Sequence, residues 1–542
     1  MHIRVYKSDD VCIYVGIINV IVRTITAQNV MAISADSFVD SIGVNTHWGD
    51  PHPYFPQYAG LKIKLAESGI RYIRDGANAV TYDRANDLYN SLGIKTIMLT
   101  GRHTTGPPPQ PLDPSQIDDQ LNEIKTQAFA ATIALEAPNE YDLEHPPNTD
   151  WVGTIKNYSI LLYSKAKDDE LLKTLPVIGP SLTSAEAYEA VGNSDSFIDY
   201  ANVHIYQWSY HPGFSGWDNN GSHSITWYLD ELVPQQTPSG KRVQSTEAGH
   251  HNYIPYGGVS EEADGKYTAR TIAEFFRRGI DRTYKYELAD GGQAGQEGVF
   301  GLLHYNLTEK PSFRAVKNLI TVLSDKGPSF EPSTLNYTLS GSMDNVRQIL
   351  FQKRSGDFYL MVWLEISSWN VTAKIDLYPP PQQVVLTLQD NSGVSSAILY
   401  AFNNNADVDT FNLTIDTNQI IFNVTDKINI IKLTTSISYG IYRLLPQIPF
   451  RSCPYVDQQW IIKPVSDNFY RLINHTSDEI LVATGCHTND WLRSSCKEWK
   501  FDLSPNGYYR ITSRHNQGQQ LCSLTNSTQV QHWILDWIAA VV

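Results

Sequence analysis

The sequence predicts an α/β chain in three parts: a (β/α)8 barrel, an antiparallel β-sandwich and a small all-β domain. Strand-like and helix-like runs alternate from about Ser37 to Asp325, short alternating strands follow Pro328, and a tryptophan-containing motif repeats after Phe450. A chain of 542 residues is also too long for one ordinary domain. We therefore expect a leader over 1–35, the barrel over 36–328, the sandwich over 329–448 and the small domain over 449–542.

The barrel prediction is based on eight strand-like runs, each followed by a stretch with apolar residues three or four apart, such as Leu61 and Leu65. Eight β-α units in about 290 residues are typical of a closed (β/α)8 barrel. A doubly wound open sheet is the alternative, but no Gly-x-Gly-x-x-Gly follows the first strand. The eight runs are 38–48, 72–76, 95–101, 131–140, 176–184, 201–208, 242–251 and 282–292.

The composition excludes several classes of partner. Hydrophobic residues make up 42% of the chain and charged residues only 18%, as in a globular protein with a large core. The formal net charge of −15 would repel a phosphate backbone, so we do not expect a nucleic acid partner. We expect no membrane span, because the longest apolar run is too short to cross a bilayer. No cofactor is predicted, and the sequence does not indicate an oligomeric state.

The N-terminus resembles a secretion signal. Residues 11–22 (VCIYVGIINVIV) form an apolar run between a short basic start and Arg23, the length of a signal-peptide core. Cleavage after Ala27, Ala32 or Ser34 would fit this interpretation. Because Asp9 and Asp10 directly precede the run, a buried N-terminal strand is the alternative.

Cysteines and glycosylation sequons point to the same compartment. Four of the five cysteines lie in the last 90 residues, enough for two disulfides in any of three pairings. Nine Asn-x-Ser/Thr sequons are present, although an Asn-rich chain contains some by chance. We predict a secreted or lysosomal glycoprotein. The sequons begin at Asn157, Asn220, Asn306, Asn336, Asn370, Asn412, Asn423, Asn474 and Asn526.

Two glutamates end strands that face each other across the predicted barrel. Glu140 ends the fourth run and Glu247 lies near the end of the seventh. Because chemistry in this fold takes place at the carboxyl ends of the strands, both side chains should enter one cleft. Two opposed carboxylates are what glycosidic bond cleavage needs. Arg74, on the second strand, could keep one of them ionised.

This ordered set resembles the clan A retaining glycoside hydrolases, over the whole predicted barrel. The resemblance implies that Glu140 is the acid/base, that Glu247 is the nucleophile, and that Asn139 binds the sugar hydroxyl beside the anomeric carbon. It also implies that Arg74 and Tyr206 orient Glu247, with His204 on the same strand as Tyr206. One departure is the eighth strand, where the family often carries a tryptophan and this chain has Tyr284, Tyr286 and Glu287.

Each of these residues also has a structural interpretation. Glu140 could cap the helix that follows Asp150, Glu247 could pair with a surface lysine, and Arg74 could pair with its neighbour Asp75. His204 and Tyr206 could simply pack the top of the barrel. Aromatic residues after the strands could stack on sugar rings or pack within loops. Further candidate substrate-binding residues are Trp48, His103, Trp208 and Tyr286.

Several histidines follow the predicted strands, as they would in a metal site. His47, His52, His103 and the pair His250-His251 show no ligand spacing such as His-Glu-x-x-His, so no catalytic metal is predicted. A barrel lyase or aldolase that uses Lys285 as a Schiff-base amine is a remote alternative.

The tail after about Phe450 contains an internal repeat. Gln459-Trp460, Glu498-Trp499 and His532-Trp533 are 39 and 34 residues apart, counted between tryptophans. Segments 468–484 and 507–523 resemble ricin-type β-trefoil lectin repeats, although about 93 residues fall short of three full lobes. The resemblance implies a trefoil-like fold and leaves open whether the tail binds sugar.

The sequence thus predicts a secreted glycosidase that acts by a retaining double displacement at Glu140 and Glu247, on a sugar that is β-linked. The expected partner is an oligosaccharide, polysaccharide or glycoconjugate. The alternative from another class is a noncatalytic glycan-binding protein that keeps the barrel as a scaffold.

Overall fold

The computed structural model describes residues 28–101, 111–389 and 392–435, together with the backbone of six strands between 440 and 540. Predictions for residues 1–27, for His103 and for the five cysteines concern parts of the chain outside the described residues. Within the described residues, no helix combines the length and the apolar character that crossing a bilayer requires.

The chain enters the fold through the sandwich, before the barrel begins. β1 (Gln28–Met31) pairs antiparallel with the strand Thr334–Gly341, and β2 (Ile33–Ser34) pairs parallel with the strand Val346–Gln352. Residues 28–34 were expected to belong to the leader, and the structure instead makes them sandwich strands. Of the three candidate cleavage positions, only the one after Ala27 would leave both strands intact.

The first barrel strand is shorter than expected, because a helix precedes it. α1 (Ala35–Asp40) takes the start of the predicted 38–48 strand, and β3 (Ile42–Asn45) is the strand itself. A helix lets the adjacent residues Phe38 and Val39 both be buried, and the Phe38 ring contacts Phe276 and Phe351. In a strand, the two side chains would point to opposite faces.

The predicted (β/α)8 barrel is confirmed. Its eight parallel strands run in the order β7-β6-β5-β4-β3-β10-β9-β8, and a bridge between Ile178 and Tyr200 joins the two ends. Buried residues dominate these strands, as expected when both faces of a parallel sheet are covered. After β3 the strands are β4 (Tyr72–Gly76), β5 (Lys95–Leu99), β6 (Thr132–Glu136), β7 (Val177–Ile178), β8 (Ala201–Ile205), β9 (Val243–Ala248) and β10 (Ile280–Lys285).

Helices follow each barrel strand and cover the outside of the sheet. A π-turn (Ile124–Ala128) extends α4, and another (Tyr228–Leu232) joins α8 to α9. The helices are α2 (Tyr58–Ser68), α3 (Ala79–Leu92), α4 (Ile117–Glu123), α5 (Tyr141–Glu144), α6 (Trp151–Asp168), α7 (Ala185–Val191), α8 (Ile225–Trp227), α9 (Val233–Gln236), α10 (Glu261–Arg277) and α11 (Pro311–Leu323).

The barrel interior has an apolar lower layer and a polar upper layer. Ile97, Ala134, Ile178 and Tyr284 fill the lower part. A Cβ atom at Gly43 would lie 2.4 Å from the Tyr284 ring, so the first strand needs a glycine where this ring crosses the interior. The upper layer contains the charged and amide side chains that form the candidate site.

Two antiparallel sheets follow the barrel and form the predicted sandwich. One has the order β1-β11-β16-β19, the other β18-β17-β20-β13-β12-β2, and β14 pairs with β15 separately. Their strands are β11 (Thr334–Gly341), β12 (Val346–Gln352), β13 (Phe358–Leu364), β14 (Trp369–Asn370), β15 (Ile375–Asp376), β16 (Gln382–Leu388), β17 (Val394–Phe402), β18 (Val408–Leu413), β19 (Gln419–Val424) and β20 (Asn429–Thr435).

The tail closes into a small barrel of six antiparallel strands, as a trefoil-like domain requires. Residues 440–446 pair with strands of the tail. The tail domain therefore begins before the predicted boundary at 449. The strands are β21 (Gly440–Pro446), β22 (Gln459–Ser466), β23 (Phe469–Asn474), β24 (Trp499–Leu503), β25 (Tyr509–Ser513) and β26 (Trp533–Ala540).

Candidate active site

A cleft of about 800 Å³ opens at the carboxyl ends of the barrel strands. Glu140 and Glu247 both line it, although they are far apart in sequence. Arg74, Asn139, His204, Tyr206, Trp208 and Tyr286 line the same cleft, so the structure brings together most of the predicted residues.

Arg74 organises the floor of the cleft. It is 4% exposed, and its guanidinium donates two hydrogen bonds to Glu136, of 2.7 and 2.9 Å. It also donates 2.7 Å bonds to Glu247 Oε1 and Asn139 Oδ1, and a 3.0 Å bond to Asn45. The proposed pair with Asp75 does not form, because Asp75 accepts from Thr46 and from the Trp48 backbone instead.

Glu247 is held on both carboxylate oxygens. Arg74 donates to Oε1, and the Tyr206 hydroxyl donates a 2.7 Å bond to Oε2. Burial alone would raise the pKa of Glu247, but nearby His204 and Arg74 and the Tyr206 bond hold it below its ordinary value. Glu247 is therefore an ionised carboxylate, fixed in orientation.

Glu140 has a different environment. Its backbone takes the left-handed conformation at φ 36°, and its amide donates a 3.1 Å bond to Ser181. Burial raises the pKa of Glu140, and the 2.6 Å bond to His204 Nδ1 offsets only part of that effect. The structural interpretation of Glu140 as a cap of the helix after Asp150 is wrong, since the side chain of Asp150 itself caps α6, and Glu140 makes no capping bond to α5.

His204 controls where the proton of Glu140 lies. Its Nε2 is 3.0 Å from Thr246 Oγ1, and that hydroxyl donates to Glu136 or Asn202, so Nε2 carries a hydrogen. One proton is then shared between His204 Nδ1 and Glu140 Oε1. Burial would lower the pKa of His204, but Glu247 and Glu140 raise it above its usual value.

The two glutamates are close enough to act on one bond. A carboxylate oxygen of Glu140 lies within 4.8 Å of one of Glu247, and His204 lies within the same distance of both. Within the described residues, Glu140, His204 and Glu247 are the group of potential metal ligands whose nitrogen and oxygen atoms lie this close together. His47, His52, His250 and His251 belong to no such cluster within the described ranges.

One predicted substrate-binding residue within the described ranges, Trp48, does not line the cleft. Trp48 is 1% exposed and packs edge-on against Tyr54 and Tyr58, because the loop after β3 turns its indole toward α2. This corrects the prediction that it faces substrate. His103 lies outside the described residues.

Lys285 does not have the surroundings of a Schiff-base lysine. It is buried, and its ammonium donates to the backbone carbonyls of Tyr286, Phe300 and His250 at 2.5, 2.9 and 3.3 Å. It is not among the residues that line the cleft. Burial lowers the pKa of Lys285, but its hydrogen bonds serve the backbone.

The sequence interpretation missed the residues beneath the site. Glu136 is fully buried on β6 and accepts from Arg74 and Asn202. A glutamate within a buried apolar strand is a signal that could have been used, since such a charge must be paired. Asn45, Asn202 and Thr246 complete this layer.

Removing the Tyr206 hydroxyl should change the pH dependence of any reaction that needs ionised Glu247. The Tyr206 bond lowers the pKa of Glu247, so Tyr206→Phe should raise that pKa and move the acidic limb of kcat/KM to higher pH. The basic limb, which reflects Glu140, should stay in place. Tyr286→Phe is the matched control, because its hydroxyl does not bond Glu247. An unmoved acidic limb would contradict this role for Tyr206.

Comparison with known proteins identifies the tail and supports the fold of the rest. Residues 456–533 match the family model described as ricin-type beta-trefoil lectin domain-like, which confirms the resemblance noted for the tail. A search by sequence found no curated protein that matches the chain.

Several solved structures with a similar fold are described as glycoside hydrolases. A family 39 glycoside hydrolase from the gut symbiont Bacteroides cellulosilyticus WH2 shares 15% identity over 74% of this chain and 82% of its own, with a TM-score of 0.53. A monomeric beta-xylosidase from Caulobacter crescentus CB15 shares 14% identity over 76% of this chain and 98% of its own, with a TM-score of 0.48. The first likeness confirms the barrel fold that the resemblance to clan A implied.

Proposed function

We propose that this protein is a retaining glycoside hydrolase that cleaves a β-linked sugar. The observation that carries the proposal is the pair Glu140 and Glu247, with oxygens within 4.8 Å and pKa values displaced in opposite directions. Carboxyl groups about 5 to 5.5 Å apart are typical of retaining enzymes, whereas about 6.5 to 9.5 Å is needed to seat a water for inversion. Opposite pKa shifts assign one carboxyl as acid and the other as nucleophile.

In the first step, Glu140 donates its proton to the glycosidic oxygen as the leaving group departs. The Glu247 carboxylate attacks the anomeric carbon, and a covalent glycosyl-enzyme forms. The 2.6 Å bond from His204 Nδ1 to Oε1 orients the Glu140 carboxyl that would transfer this proton. Arg74 and Tyr206 keep the attacking carboxylate ionised and aligned.

In the second step, Glu140 acts as a base. After the first step Glu140 is a carboxylate, and it takes a proton from a water molecule. This water attacks the anomeric carbon, and the bond from that carbon to Glu247 breaks. Asn139 would contact the sugar hydroxyl next to this carbon, because Arg74 binds its Oδ1 and leaves the amide nitrogen for substrate. Rings of Tyr286 and Phe300 line the cleft and suit the apolar faces of sugars.

A panel of aryl α- and β-glycosides tests the proposal. We expect hydrolysis of at least one β-glycoside, with release of the sugar in the β configuration first. Glycan binding without any hydrolysis would instead favour the noncatalytic alternative. Hydrolysis with an inverted first product would contradict the retaining mechanism.

We also propose that the tail binds carbohydrate, supported by the family match over 456–533. A truncation that removes the tail must end before β21, because β21 pairs with β26 of the tail. A chain cut after Gln447 would keep β21 without this partner strand. A chain ending at Thr435 should keep its activity on a small soluble glycoside and adsorb less to an insoluble glycan, because only a polymer engages both sites. Equal adsorption by both chains, with the insoluble glycan in excess, would contradict a role in binding.

We propose secretion with N-glycosylation. In support, five sequon asparagines are exposed: Asn157, Asn220, Asn306, Asn412 and Asn423. Expression in a eukaryotic host with the native N-terminus should yield protein in the medium that loses mass on treatment with an amidase specific for N-glycans. A variant lacking residues 1–27 should remain in the cell without glycans. Cytosolic retention of the full chain would contradict the proposal.

A further inference from the structure

Exposed aromatic rings are concentrated at one end of the barrel. Among the described barrel residues, the exposed tryptophan, tyrosine and phenylalanine side chains all follow the carboxyl ends of strands, and Trp208 among them lines the cleft. Three of them form what we call the rim patch: Trp208 after β8, with Tyr253 and Tyr256 after β9. They are 39%, 39% and 63% exposed. Rings left in water at a cleft are available to a ligand.

The rim patch has a fixed geometry. Trp208 takes a left-handed backbone conformation at φ 54°, which a bulky side chain rarely adopts. Ser209 Oγ donates a 2.7 Å bond to the Gly257 carbonyl, which joins the loop after β8 to the loop after β9. The Tyr253 amide donates to His251 Nδ1, and its carbonyl accepts from Gly258. Strain that surrounding contacts maintain is common at binding sites.

The sandwich anchors the same loop. Glu365, directly after β13, is buried and accepts bonds from His211 Nδ1 at 2.8 Å and from the Gly213 amide at 3.0 Å. Burial would raise the pKa of Glu365, but Arg270 and His211 hold it at about 2. A Cβ at Gly213 would lie 2.2 Å from Glu365, so the loop fits closely against the sandwich.

The rim patch is continuous with the proposed catalytic residues. Trp208 contacts His251 with ring centroids 6.3 Å apart, His251 contacts Phe300 at 5.0 Å, and Phe300 contacts Tyr206 at 5.9 Å. Tyr206 in turn bonds Glu247. Trp208 and Glu247 also line the same cleft, so a chain of sugars with one unit at Glu247 can extend through it toward Trp208.

We propose that the rim patch is a subsite for a further sugar unit, so that the substrate is an oligosaccharide or polysaccharide of neutral sugars. This inference rests on the proposed function and specifies its substrate class. The rings of Trp208, Tyr253 and Tyr256 carry no charge, and the lectin-like tail is consistent with a polymeric glycan. The rings stack on apolar sugar faces and leave the sugar hydroxyls in water.

The test compares substrates that differ only in reaching the patch. Cellotetraose, laminaritetraose and xylotetraose span several units, whereas β-glucosyl and β-xylosyl fluoride place one sugar at Glu247 with a single-atom leaving group. Trp208→Ala should lower kcat/KM on the tetrasaccharide about tenfold and on the matching fluoride less than about twofold. Phe411→Ala is the matched control, since Phe411 is a 53% exposed ring on the sandwich strand β18. It should change neither value.

Three results would overturn the subsite: equal losses on both substrates, no loss on the tetrasaccharide, or turnover of a fluoride without turnover of any tetrasaccharide. If the wild type hydrolyses none of these compounds, the panel of aryl glycosides decides the proposed function separately. Calorimetric binding of the three tetrasaccharides then decides the subsite. Weaker binding, or one site fewer, in Trp208→Ala would support it, and isotherms identical to the wild type would overturn it.

Discussion

Glu247→Gln is expected to abolish glycoside hydrolysis, with a loss of about 10⁴-fold or more in kcat on every substrate. The amide keeps the shape of the side chain but cannot attack the anomeric carbon. Arg74 retains its two bonds to Glu136, so the floor of the cleft should persist. The measurement is steady-state kinetics on the best aryl glycoside, together with a circular dichroism spectrum that shows an unchanged fold.

Glu287 provides the matched control for this variant. It is another buried glutamate near the cleft and accepts a hydrogen bond from the Tyr54 hydroxyl, and burial raises its pKa to about 8. At neutral pH its carboxyl is mostly protonated, so Glu287→Gln resembles the native state and should cost less than about tenfold. Losses of similar size in both variants would mean that any change to a buried glutamate disables the site, and the assignment of Glu247 would fail.

Glu140→Gln is expected to discriminate between leaving groups. A glycan or alkyl glycoside needs protonation as its bond breaks and should lose about 10² to 10⁴-fold in kcat/KM. A dinitrophenyl glycoside departs without that help, and its kcat/KM should fall less than about tenfold. Its kcat should drop because the second step lacks a base, and azide, a nucleophile that needs no deprotonation, should restore it.

The matched control for Glu140 is Glu144→Gln, which removes a carboxylate four residues along from the same side of the cleft. In Glu144→Gln, the ratio of kcat/KM between activated and unactivated substrates should stay as in the wild type, and azide should not change kcat. Equal losses of kcat/KM on activated and unactivated substrates in Glu140→Gln would contradict its role as the acid.

The sequence predicted the residues around the cleft because parallel strands bring their carboxyl ends together. Arg74, Asn139, Glu140, His204, Tyr206 and Glu247 all lie at such positions, and the structure places them in one cleft. Periodicity therefore located side chains that are up to 173 residues apart, as in the bond from Arg74 to Glu247.

Local patterns gave no indication of which face a loop residue presents. Trp48 follows a strand, as Trp208 does, but only Trp208 reaches the cleft. The direction depends on tertiary contacts, here Tyr54 and Tyr58 for Trp48 and the Gly257 loop for Trp208. The same limit applies to β1 and β2, whose sandwich partners lie about 300 residues downstream.

Trapping the glycosyl-enzyme tests the central claim most directly. A 2-deoxy-2-fluoro-β-glycosyl fluoride of the accepted sugar slows the second step, because the fluorine destabilises the oxocarbenium-like transition state. Intact mass spectrometry should show one added fluoroglycosyl group per chain, and peptide mapping should locate it on Glu247. Inactivation with the label on another residue, or continued turnover of the natural substrate with no label at all, would contradict a double displacement at Glu247.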